Sequence, residues 1–316
     1  MKRLPTIYTL SLNPCLDKSI IIKQILFDDI NRINRFQEDP GGKGINVSRV
    51  LSFLGGSTLT LGFSGGATGK RIEELLSKKK VPFSFIKINE ETRLILNIFE
   101  DKTKRTIRLN EKGPKVGKEE IEELASDIFS LPYQKNDYFV CSGSLTPGVP
   151  PSIYQKIIKR LKKRGVRTVL DSDNEPFRLG VKSAPFLIKP NLWELSRLSK
   201  KNVRTIPEII TFSKNLLEKG IKIVLTSLGK KGAILVAKKE TLLATPPQIR
   251  VKSTIGSGDA FLAGFLFSLT KGRDLQDALR FGVALGTATA LQPGTAICQK
   301  KDIYKILRRV KTKELI

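Results

Sequence analysis

The sequence contains no histidine among its 316 residues. This absence excludes Ser-His-Asp hydrolysis, acid–base catalysis by imidazole and metal sites with histidine ligands. Cysteine is scarce as well, with three residues far apart in the chain, which is too few for a structural zinc site or a disulfide framework. We therefore expect a reducing, cytoplasmic location, and proton transfer that depends on carboxylates or lysines.

Long hydrophobic runs are also missing. No segment approaches the ~18 consecutive apolar residues that a membrane-spanning helix needs. The apolar N-terminal stretch resembles a secretory signal, but Pro5 interrupts it and Asp17 and Lys18 end it, so we interpret it as a first buried strand. The composition, 40% hydrophobic and 27% charged, is that of an ordinary globular protein, and we expect a single domain over 1–316.

Acidic residues are few beside the basic ones, 30 against 56, which gives a formal net charge of +26. Such a charge requires a nucleic-acid-binding hypothesis. However, the basic residues are spread along the chain, and the aromatic residues, 7% of the total, do not interleave with them to form a stacking platform. We interpret the charge as mainly a solubility feature that also attracts anionic substrates, and we expect no specific nucleic acid partner.

A glycine-rich turn runs directly into an apolar helix at 254–269, and this places Asp259 in the first helical turn. Gly256 and Gly258 allow positive φ, so the N–H groups of 256–259 can point together at an anion. In phosphoryl transfer such groups neutralise the charge of the transferred group while a carboxylate takes the proton of the attacking hydroxyl. The alternative is an N-capped helix start without a catalytic role.

A second glycine-rich turn, at 41–44, leads into a helix predicted over 47–54. Asn46 lies at the start of this helix, where its amide can bind a ligand, so we expect a second site for an anion or a polyol. A third glycine-rich segment, at 64–71, has Ser and Arg where a phosphate-binding P-loop needs Gly and Ser or Thr. We therefore reject a P-loop.

Strands and helices alternate along most of the chain, which predicts a parallel sheet covered by helices on both faces. Two polar-alternating strands and a hairpin predict a small, exposed second sheet, and the hairpin carries Arg93 and Arg108, whose guanidinium groups suit a phosphate. Besides the helix of Asp259, the predicted strands are 7–12, 18–23, 30–36, 58–63, 83–87, 93–99, 104–109, 137–141, 166–170, 185–188, 222–226, 232–237 and 240–244, and the predicted helices are 47–54, 69–79, 117–129, 151–164, 174–181, 205–218, 274–291 and 300–310.

Ligands of such sheets bind at the carboxyl ends of the strands. Four predicted strands are followed by polar or glycine-rich segments, which we expect to meet at one edge of the sheet. These segments are Ser142-Gly-Ser144, Asp171, Lys189-Pro-Asn191-Leu-Trp-Glu194 and Ser227-Leu-Gly229-Lys-Lys-Gly232.

The motifs together carry a family resemblance. They are Asn13-Pro-x-x-Asp17, Gly41-Gly-Lys-Gly-Ile-Asn46, Thr92-Arg93, Ser142-Gly-Ser-Leu, Lys189-Pro-Asn-x-x-Glu194, Ser227-Leu-Gly-x-x-Gly232 and Gly256-Ser-Gly-Asp259. In order and spacing the set resembles the phosphofructokinase B branch of the ribokinase-like sugar kinases. The resemblance implies a three-layer α/β/α fold with a mainly parallel central sheet and a small β-sheet lid at about 15–38 and 90–112, ATP as co-substrate, Mg²⁺ as cofactor, and a homodimer formed through the lid.

The resemblance also implies residue roles. Asp259 is the implied catalytic base, with Gly256, Ser257 and Gly258 as its anion hole. The residues implied to bind the sugar phosphate are Asp17, Arg32, Gly41, Gly42, Lys43, Asn46, Arg93, Arg108 and Ser142. Those implied to contact ATP are Lys189, Asn191, Ser227, Gly229 and Gly232, and Glu194 is implied to bind Mg²⁺ through water.

Different segments of the sequence resemble kinases that act on different sugar phosphates. The segments 41–44 and 29–32 look like fructose 1-phosphate and tagatose 6-phosphate kinases, whereas Pro40 and Arg108 look like the minor 6-phosphofructokinases. Because Arg108 adds a second guanidinium beside Arg93, we expect a phosphotransferase that converts fructose 6-phosphate to fructose 1,6-bisphosphate in glycolysis. Fructose 1-phosphate or tagatose 6-phosphate kinase activity is the alternative, and a basic nucleic-acid-binding protein on a kinase fold is the alternative of another class.

Overall fold

The structure is a computed structural model that describes residues 3–315, and it contains two β-sheets and ten α-helices in that range. The strands are β1 (Ile7–Ser11), β2 (Cys15–Ile22), β3 (Arg35–Gly41), β4 (Thr58–Gly65), β5 (Phe83–Ile88), β6 (Arg93–Glu100), β7 (Thr106–Asn110), β8 (Tyr138–Ser142), β9 (Arg167–Asp171), β10 (Leu187–Ile188), β11 (Ile223–Ser227), β12 (Ala233–Ala237), β13 (Thr241–Thr245) and β14 (Lys311–Glu314). The helices are α1 (Lys43–Phe53), α2 (Gly66–Lys78), α3 (Lys118–Ser130), α4 (Ile153–Lys163), α5 (Asn174–Val181), α6 (Leu192–Ser199), α7 (Ile206–Glu218), α8 (Ser257–Thr270), α9 (Leu275–Thr289) and α10 (Lys300–Leu307).

The large sheet has ten strands in the order β14-β13-β12-β11-β10-β9-β8-β1-β4-β5. The seven strands β11, β10, β9, β8, β1, β4 and β5 are parallel to one another, and β12, β13 and β14 add an antiparallel edge next to β11. Every residue of the central strand β1 is buried, as expected for a parallel strand covered on both faces. The predicted mainly parallel sheet is therefore confirmed.

Helices cover both faces of the large sheet, and each face has its own hydrophobic core. Successive residues of β1 alternate between the two cores: Tyr8 packs with Tyr154 of α4, whereas Ile7 packs with Phe265 of α8. This alternation follows from the two-residue period of a strand. It confirms the three-layer α/β/α architecture.

Helix α8 is buried along nearly its whole length because it packs closely against α9. The contact depends on missing side chains: a Cβ atom on Gly264 would lie 3.2 Å from the Cα of Gly282 and 2.9 Å from the Leu285 side chain. Larger residues at these positions would push the helices apart. The packing holds the N-terminal turn of α8, which carries Asp259, at the carboxyl edge of the large sheet.

The small sheet has four strands in the order β3-β2-β6-β7. The strand that follows β2 in the chain was predicted at 30–36, which is wrong, because β3 begins at Arg35 and ends at Gly41. It also extends beyond residue 38, the predicted end of the first lid segment. Pairing of β3 with β2, in the register Cys15↔Gly41 to Ile21↔Arg35, fixes its position. The chain then passes through Gly42 into α1, which begins at Lys43, four residues before the predicted start.

The structure corrects two further expectations and adds two elements. Strand β2 is mostly buried and pairs on both sides, so it is an interior strand of the small sheet rather than an exposed one. Helix α6 and the polar edge strand β14 were not predicted. An edge strand needs no apolar face, so β14 (Lys-Thr-Lys-Glu) has no strand-like pattern. The other element ends agree with the predictions within a few residues.

Between residues 3 and 315, no helix is both long enough and apolar enough to cross a membrane.

Candidate active site

A cleft of about 380 Å³ lies where the carboxyl ends of β1 and β8 meet the small sheet. The cleft brings together residues from distant parts of the sequence, many of which were predicted to bind substrate or to take part in catalysis. The predicted residues that line it are Asp17, Gly42, Lys43, Asn46, Arg93, Arg108, Ser142, Gly256 and Asp259.

Asp259 is a buried carboxyl group in the first turn of α8. One of its oxygens, Oδ2, accepts a 2.8 Å hydrogen bond from the side-chain amide of Asn46. Burial, together with the nearby negative charge of Asp171, raises the pKa of Asp259 to about 6. At neutral pH the carboxyl group is therefore mostly ionised, yet basic enough to accept a proton from a bound hydroxyl group.

The turn before α8 has the left-handed conformation that was expected of its first glycine: Gly256 has a φ of 72°. Two details differ from the expectation. Gly258 is helical, and the Ser257 N–H donates to the Thr254 carbonyl at 3.3 Å, so it is not free to bind an anion. The N–H groups of Gly258 and Asp259 lie in the first helical turn, where backbone donors have no acceptor within the helix. These two groups are the better donors for an anion.

Two lysines converge on the buried carboxylate of Asp171 at the end of β9. Lys43 Nζ lies 3.0 Å from Oδ1, and Lys189 Nζ lies 3.2 Å from Oδ2. Burial acts to raise the pKa of Asp171, but Lys189 and Lys43 outweigh it and lower that pKa. Burial likewise acts to lower the pKa of Lys43, but Asp171 outweighs it, so Lys43 stays protonated. Two ammonium groups are thus fixed near Asp259, where they can stabilise the charge of a phosphoryl group.

The small sheet presents polar side chains to the cleft from alternate positions of β6 and β7. Arg93 donates to the carbonyls of Asn13 at 2.9 Å and Glu111 at 3.2 Å, which orient its guanidinium group. Asn97 pairs with Arg108 in the register of the two strands. Because side chains alternate across a strand, these residues lie on one face of the small sheet, together with Ile95, and this mainly polar face lines the cleft that also contains Asp259.

Asp17 lies on β2 at the floor of the cleft and is buried. Burial raises the pKa of Asp17 to about 6, with Arg49 acting to lower it and Asp39 to raise it. A Cβ atom on Gly41 would lie 2.1 Å from the Asp17 Oδ2 atom, so only glycine fits beside this carboxylate. This close approach explains the first glycine of the 41–44 turn.

The residues predicted to contact ATP lie at the ends of β10 and β11, outside the lining of the cleft. Asn191 and Ser227 form a bridge between these strand ends, and Gly229 and Gly232 have φ values of 60° and 98°. The Gly258 position joins this region to the cleft, because a Cβ atom there would lie 3.7 Å from Lys189 Nζ.

Glu194 and Asn191 form a capping box at the start of α6. The Asn191 side chain accepts from the Glu194 N–H at 2.9 Å, and the Glu194 carboxylate accepts from the Asn191 N–H at 2.8 Å. Only one oxygen of Glu194, Oε2, is used in this way. A single carboxylate oxygen fits a Mg²⁺ ion that keeps most of its water ligands and binds phosphate oxygens.

Several residues of the cleft had no individual predicted role: Asn13, Asn97, Asn110 and Asp173. Ser144 also lines the cleft and belongs to the segment 142–144 that was expected at this edge. Within residues 3–315, Asn13 Oδ1 is buried without a hydrogen-bond partner, so it can bind a ligand, whereas Asn97 lies beside Asp17 and acts to lower the pKa of that carboxyl group. Asn97 and Asn110 could have been predicted, because they lie four positions after Arg93 and two positions after Arg108 and so share a strand face with them. Arg32, in contrast, is exposed and is not part of the cleft lining, and its predicted role stays a prediction.

Comparisons with known proteins agree with this geometry. The chain is 36% identical to the 1-phosphofructokinase of Borreliella burgdorferi, over 98% of this chain and 99% of that protein. It is 32% identical to the ATP-dependent 6-phosphofructokinase isozyme 2 of Escherichia coli, over 95% and 97%. A structure of phosphofructokinase-2 from Escherichia coli in complex with substrates and products superposes with a TM-score of 0.91 at 31% identity, covering 96% of this chain and 98% of that one.

The fold is therefore ribokinase-like, with a large mixed sheet of mostly parallel strands and a smaller sheet. The sequence profile of the pfkB family carbohydrate kinases matches residues 10–302, which is nearly the whole chain. Members of this family transfer a phosphoryl group to a sugar hydroxyl. On this match and the identities to its relatives, the protein belongs to the pfkB family of carbohydrate kinases and is an enzyme.

Proposed function

We propose that the enzyme transfers the γ-phosphoryl group of ATP to the 1-hydroxyl group of fructose 6-phosphate, giving fructose 1,6-bisphosphate and ADP. The observation that carries this proposal is the composition of the cleft. It holds one buried carboxylate, Asp259, on the large-sheet side and two guanidinium groups, Arg93 and Arg108, on the small-sheet side. This arrangement suits a substrate with a hydroxyl group at one end and a phosphate at the other.

In the proposed reaction Asp259 accepts the proton of the 1-hydroxyl group. The hydroxyl oxygen forms a bond to the γ-phosphorus, and the bond from that phosphorus to the β–γ bridging oxygen breaks, so that ADP leaves. The first-turn N–H groups of α8 and the ammonium groups of Lys43 and Lys189 stabilise the charge of the transferred group. The Asp171 carboxylate between the two lysines holds them in place.

The remaining cleft residues bind the sugar phosphate in this proposal. Asp17 and Asn46 accept or donate hydrogen bonds to sugar hydroxyl groups, and Gly42 leaves room for the sugar beside them. Arg93 and Arg108 bind the 6-phosphate, since a guanidinium group forms paired hydrogen bonds to phosphate oxygens.

ATP lies along the ends of β10 and β11 in this proposal, in contact with Lys189, Asn191, Ser227, Gly229 and Gly232. Mg²⁺ neutralises the phosphates of the nucleotide when it is bound. The residue that would hold its water ligands is Glu194, whose second carboxylate oxygen is left over from the capping box.

Fructose 1-phosphate is a second candidate acceptor, because the relative of 36% identity is a 1-phosphofructokinase. Either acceptor carries a single phosphate at the end remote from the hydroxyl group that reacts, so Arg93 and Arg108 suit both. Tagatose 6-phosphate, which shares the 6-phosphate, is the third candidate.

Values of kcat/KM for fructose 6-phosphate, fructose 1-phosphate and tagatose 6-phosphate, measured by ADP release, decide between these acceptors. We expect fructose 6-phosphate to have the highest value. A more than tenfold preference for fructose 1-phosphate would replace the proposed substrate. A salt titration of DNA binding tests the alternative of another class, since non-specific attraction to phosphates disappears between ~50 and ~200 mM salt.

We also propose a homodimer in which the small sheet is the interface and acts as a lid, with the whole chain as one domain. Large apolar side chains are exposed on this sheet and on the segment before β3: Phe27 (83%), Ile30 (72%), Phe36 (60%) and Leu109 (52%). Their burial against a second copy would remove apolar surface from water and cover open strand edges. The three buried free cysteines fit a reducing compartment, and we propose the cytoplasm.

A further inference from the structure

A buried arginine lies directly behind the cleft. Arg49, on α1, is 3% exposed, and its guanidinium group contacts two other segments of the chain, β3 and the segment around Thr295. It donates to Asp39 Oδ1 at 2.7 Å, to the Pro40 carbonyl at 3.1 Å and to the Thr295 carbonyl at 3.4 Å. Arg49 does not line the cleft, so no direct contact with substrate explains its burial.

Arg49 also contacts Asn46, the residue whose amide donates to Asp259. Its Nη1 group donates to Asn46 Oδ1 at 3.3 Å, and residues 46 and 49 are neighbours on one face of α1 because they are three positions apart. This contact fixes the amide of Asn46 with its oxygen toward Arg49 and its NH₂ group toward Asp259. The opposite orientation would place the amide oxygen against the carboxylate and the NH₂ group against the guanidinium, two unfavourable contacts.

Asp39, near the end of β3, holds the guanidinium group in place. Its Oδ2 atom accepts from Thr295 Oγ1 at 2.9 Å and from the Gln37 amide at 2.6 Å, and Lys79 Nζ lies 3.3 Å from its Oδ1 atom. The desolvation of a buried ion pair offsets most of its Coulombic gain. The ion pair between Asp39 and Arg49 therefore adds little to the net stability of the fold. A role in positioning other side chains accounts better for its many contacts.

We propose that Asp39 and Arg49 are positioning residues that hold the Asn46 amide so that it donates to Asp259. They thereby connect the catalytic carboxylate to strand β3 of the small sheet through Asp39, Arg49 and Asn46. This inference rests on the proposed role of Asp259 as the base. Its consequence is that a change at Asp39, outside the cleft, alters the basicity of Asp259.

Loss of the Asp39 charge and loss of the Asn46 hydrogen bond would change the pKa of Asp259 in opposite directions. The charged groups that act on Asp259 are Asp171, which raises its pKa, and Lys43 and Lys189, which lower it, in addition to the hydrogen bond from Asn46. Arg49 faces Asp39, Asp17, Asp259 and Cys15. Removing the negative charge of Asp39 would lower the pKa of Asp259 by Coulomb's law alone. Loss of the hydrogen bond from Asn46 would raise it, because that bond stabilises the ionised form.

The test is the titration of Asp259 in the D39N variant. The carboxyl carbons of aspartate are labelled with ¹³C, the Asp259 resonance is identified by its loss in D259N, and its chemical shift is followed with pH in the absence of any substrate. We expect the pKa of Asp259 to rise in D39N by roughly 1 unit, the value of one charged hydrogen bond. An unchanged or lowered pKa in folded D39N would overturn the proposal.

A milder variant covers the case in which D39N does not fold. T295V removes one hydrogen bond to Asp39 and no charge, so it should fold and raise the Asp259 pKa by less than D39N. The matched control is E38Q, which breaks the 3.1 Å contact of Glu38 with Arg71 of α2 at the position next to Asp39. E38Q should leave the Asp259 titration unchanged, and an equal shift in E38Q would contradict a specific role of Asp39.

Turnover gives a second readout. With the acceptor that the wild type prefers, kcat of R49K should fall by roughly tenfold, because a lysine keeps the charge but cannot contact Asp39 and Asn46 together, while KM for ATP stays unchanged. The two proposals can fail separately. A wild type that phosphorylates no ketohexose phosphate rejects the proposed function, whereas a raised Asp259 pKa in D39N still supports the positioning role.

Discussion

The side-chain amide of Asn46 donates a 2.8 Å hydrogen bond to the carboxylate of Asp259, although 213 positions separate the two residues. Asn46 lies near the start of α1 and Asp259 near the start of α8, and both helices follow glycine-rich turns. The bond therefore joins two helix N-termini at one cleft. Since each N-terminus favours negative charge, we expect both helices to stabilise a phosphoryl group that binds near Asp259.

Replacement of Asp259 by asparagine should lower kcat by roughly 10²- to 10⁴-fold, the range for loss of a positioned general base. The variant keeps the shape of the side chain, so we expect the fold and the affinity for ATP to be retained. Steady-state kinetics and ATP titration measure these effects. D277N is the matched control, because Asp277 also lies in the first turn of a helix but is only partly buried, with a side-chain exposure of 45%. A D259N enzyme within a few-fold of the wild type would contradict the assignment.

The acid limb of the pH profile should report the same group. Burial raises the pKa of Asp259 to about 6, and only the ionised form accepts a proton, so kcat should fall as the pH decreases below about 6. The measurement uses saturating substrates, since phosphate groups also titrate near pH 6. The residual activity of D259N should lack this limb. If the limb persists in D259N, another group controls the rate.

The same pKa predicts a gain of stability in D259N. In the unfolded chain an aspartate has a pKa near 3.9, below the value of about 6 in the fold, so the folded state binds the proton more tightly. Ionisation between about pH 4 and 6 therefore lowers the free energy of unfolding of the wild type. Asparagine has no charge to bury, and D259N should be more stable above pH 6 by about 1–3 kcal/mol. Urea unfolding at pH 8 should show this gain and unfolding at pH 4 should not.

Replacement of Arg108 by alanine should raise KM for fructose 6-phosphate by roughly 10- to 100-fold, because a charged hydrogen bond to the phosphate is lost. The value of kcat should change little, since Arg108 lies on β7, across the cleft from Asp259. R105A is the control: Arg105 is also exposed and precedes β7, but it is not part of the cleft lining. An unchanged KM in R108A would remove the main reason for choosing a 6-phosphate substrate.

The proposed dimer should dissociate when its apolar surface is made charged. In the double variant F36D/L109D, two exposed apolar side chains of the small sheet become carboxylates that repel their copies in the partner. Sedimentation velocity at micromolar concentration should show a dimer for the wild type and a monomer for the variant. W193D, which changes an apolar side chain of 78% exposure on α6, should remain a dimer. A monomeric wild type, with and without substrate, would contradict the proposal.

Local sequence patterns were sufficient for the central part of the fold. Strand β8 was predicted at 137–141 and lies at Tyr138–Ser142. A short apolar run that ends at Ser and Gly is enough to predict a buried strand. Strand β3 was misplaced because its bounds depend on pairing with β2, while the more apolar segment before it is exposed. The strand β14 pairs with β13 through its backbone alone, so its side chains carry no signal.

The candidate site shows the same division. Asp259 and Asn46 were predicted because each follows a glycine-rich turn, and the turn, the helix start and the polar residue are adjacent in sequence. Asn97 was missed because its position depends on which face of β6 meets the cleft. The contact of Arg49 with Asp39 was missed because it joins a helix to a separate sheet.

The sequence by itself determined the layered α/β fold, the absence of imidazole chemistry and the two glycine-rich turns that carry Asn46 and Asp259, since these depend on residue type and short-range periodicity. The tertiary structure alone decided that the two turns meet, that Asp171 holds Lys43 and Lys189 together, and that burial raises the pKa of Asp259. Each of these depends on distances between segments far apart in the chain and on exclusion of water, which no local pattern encodes.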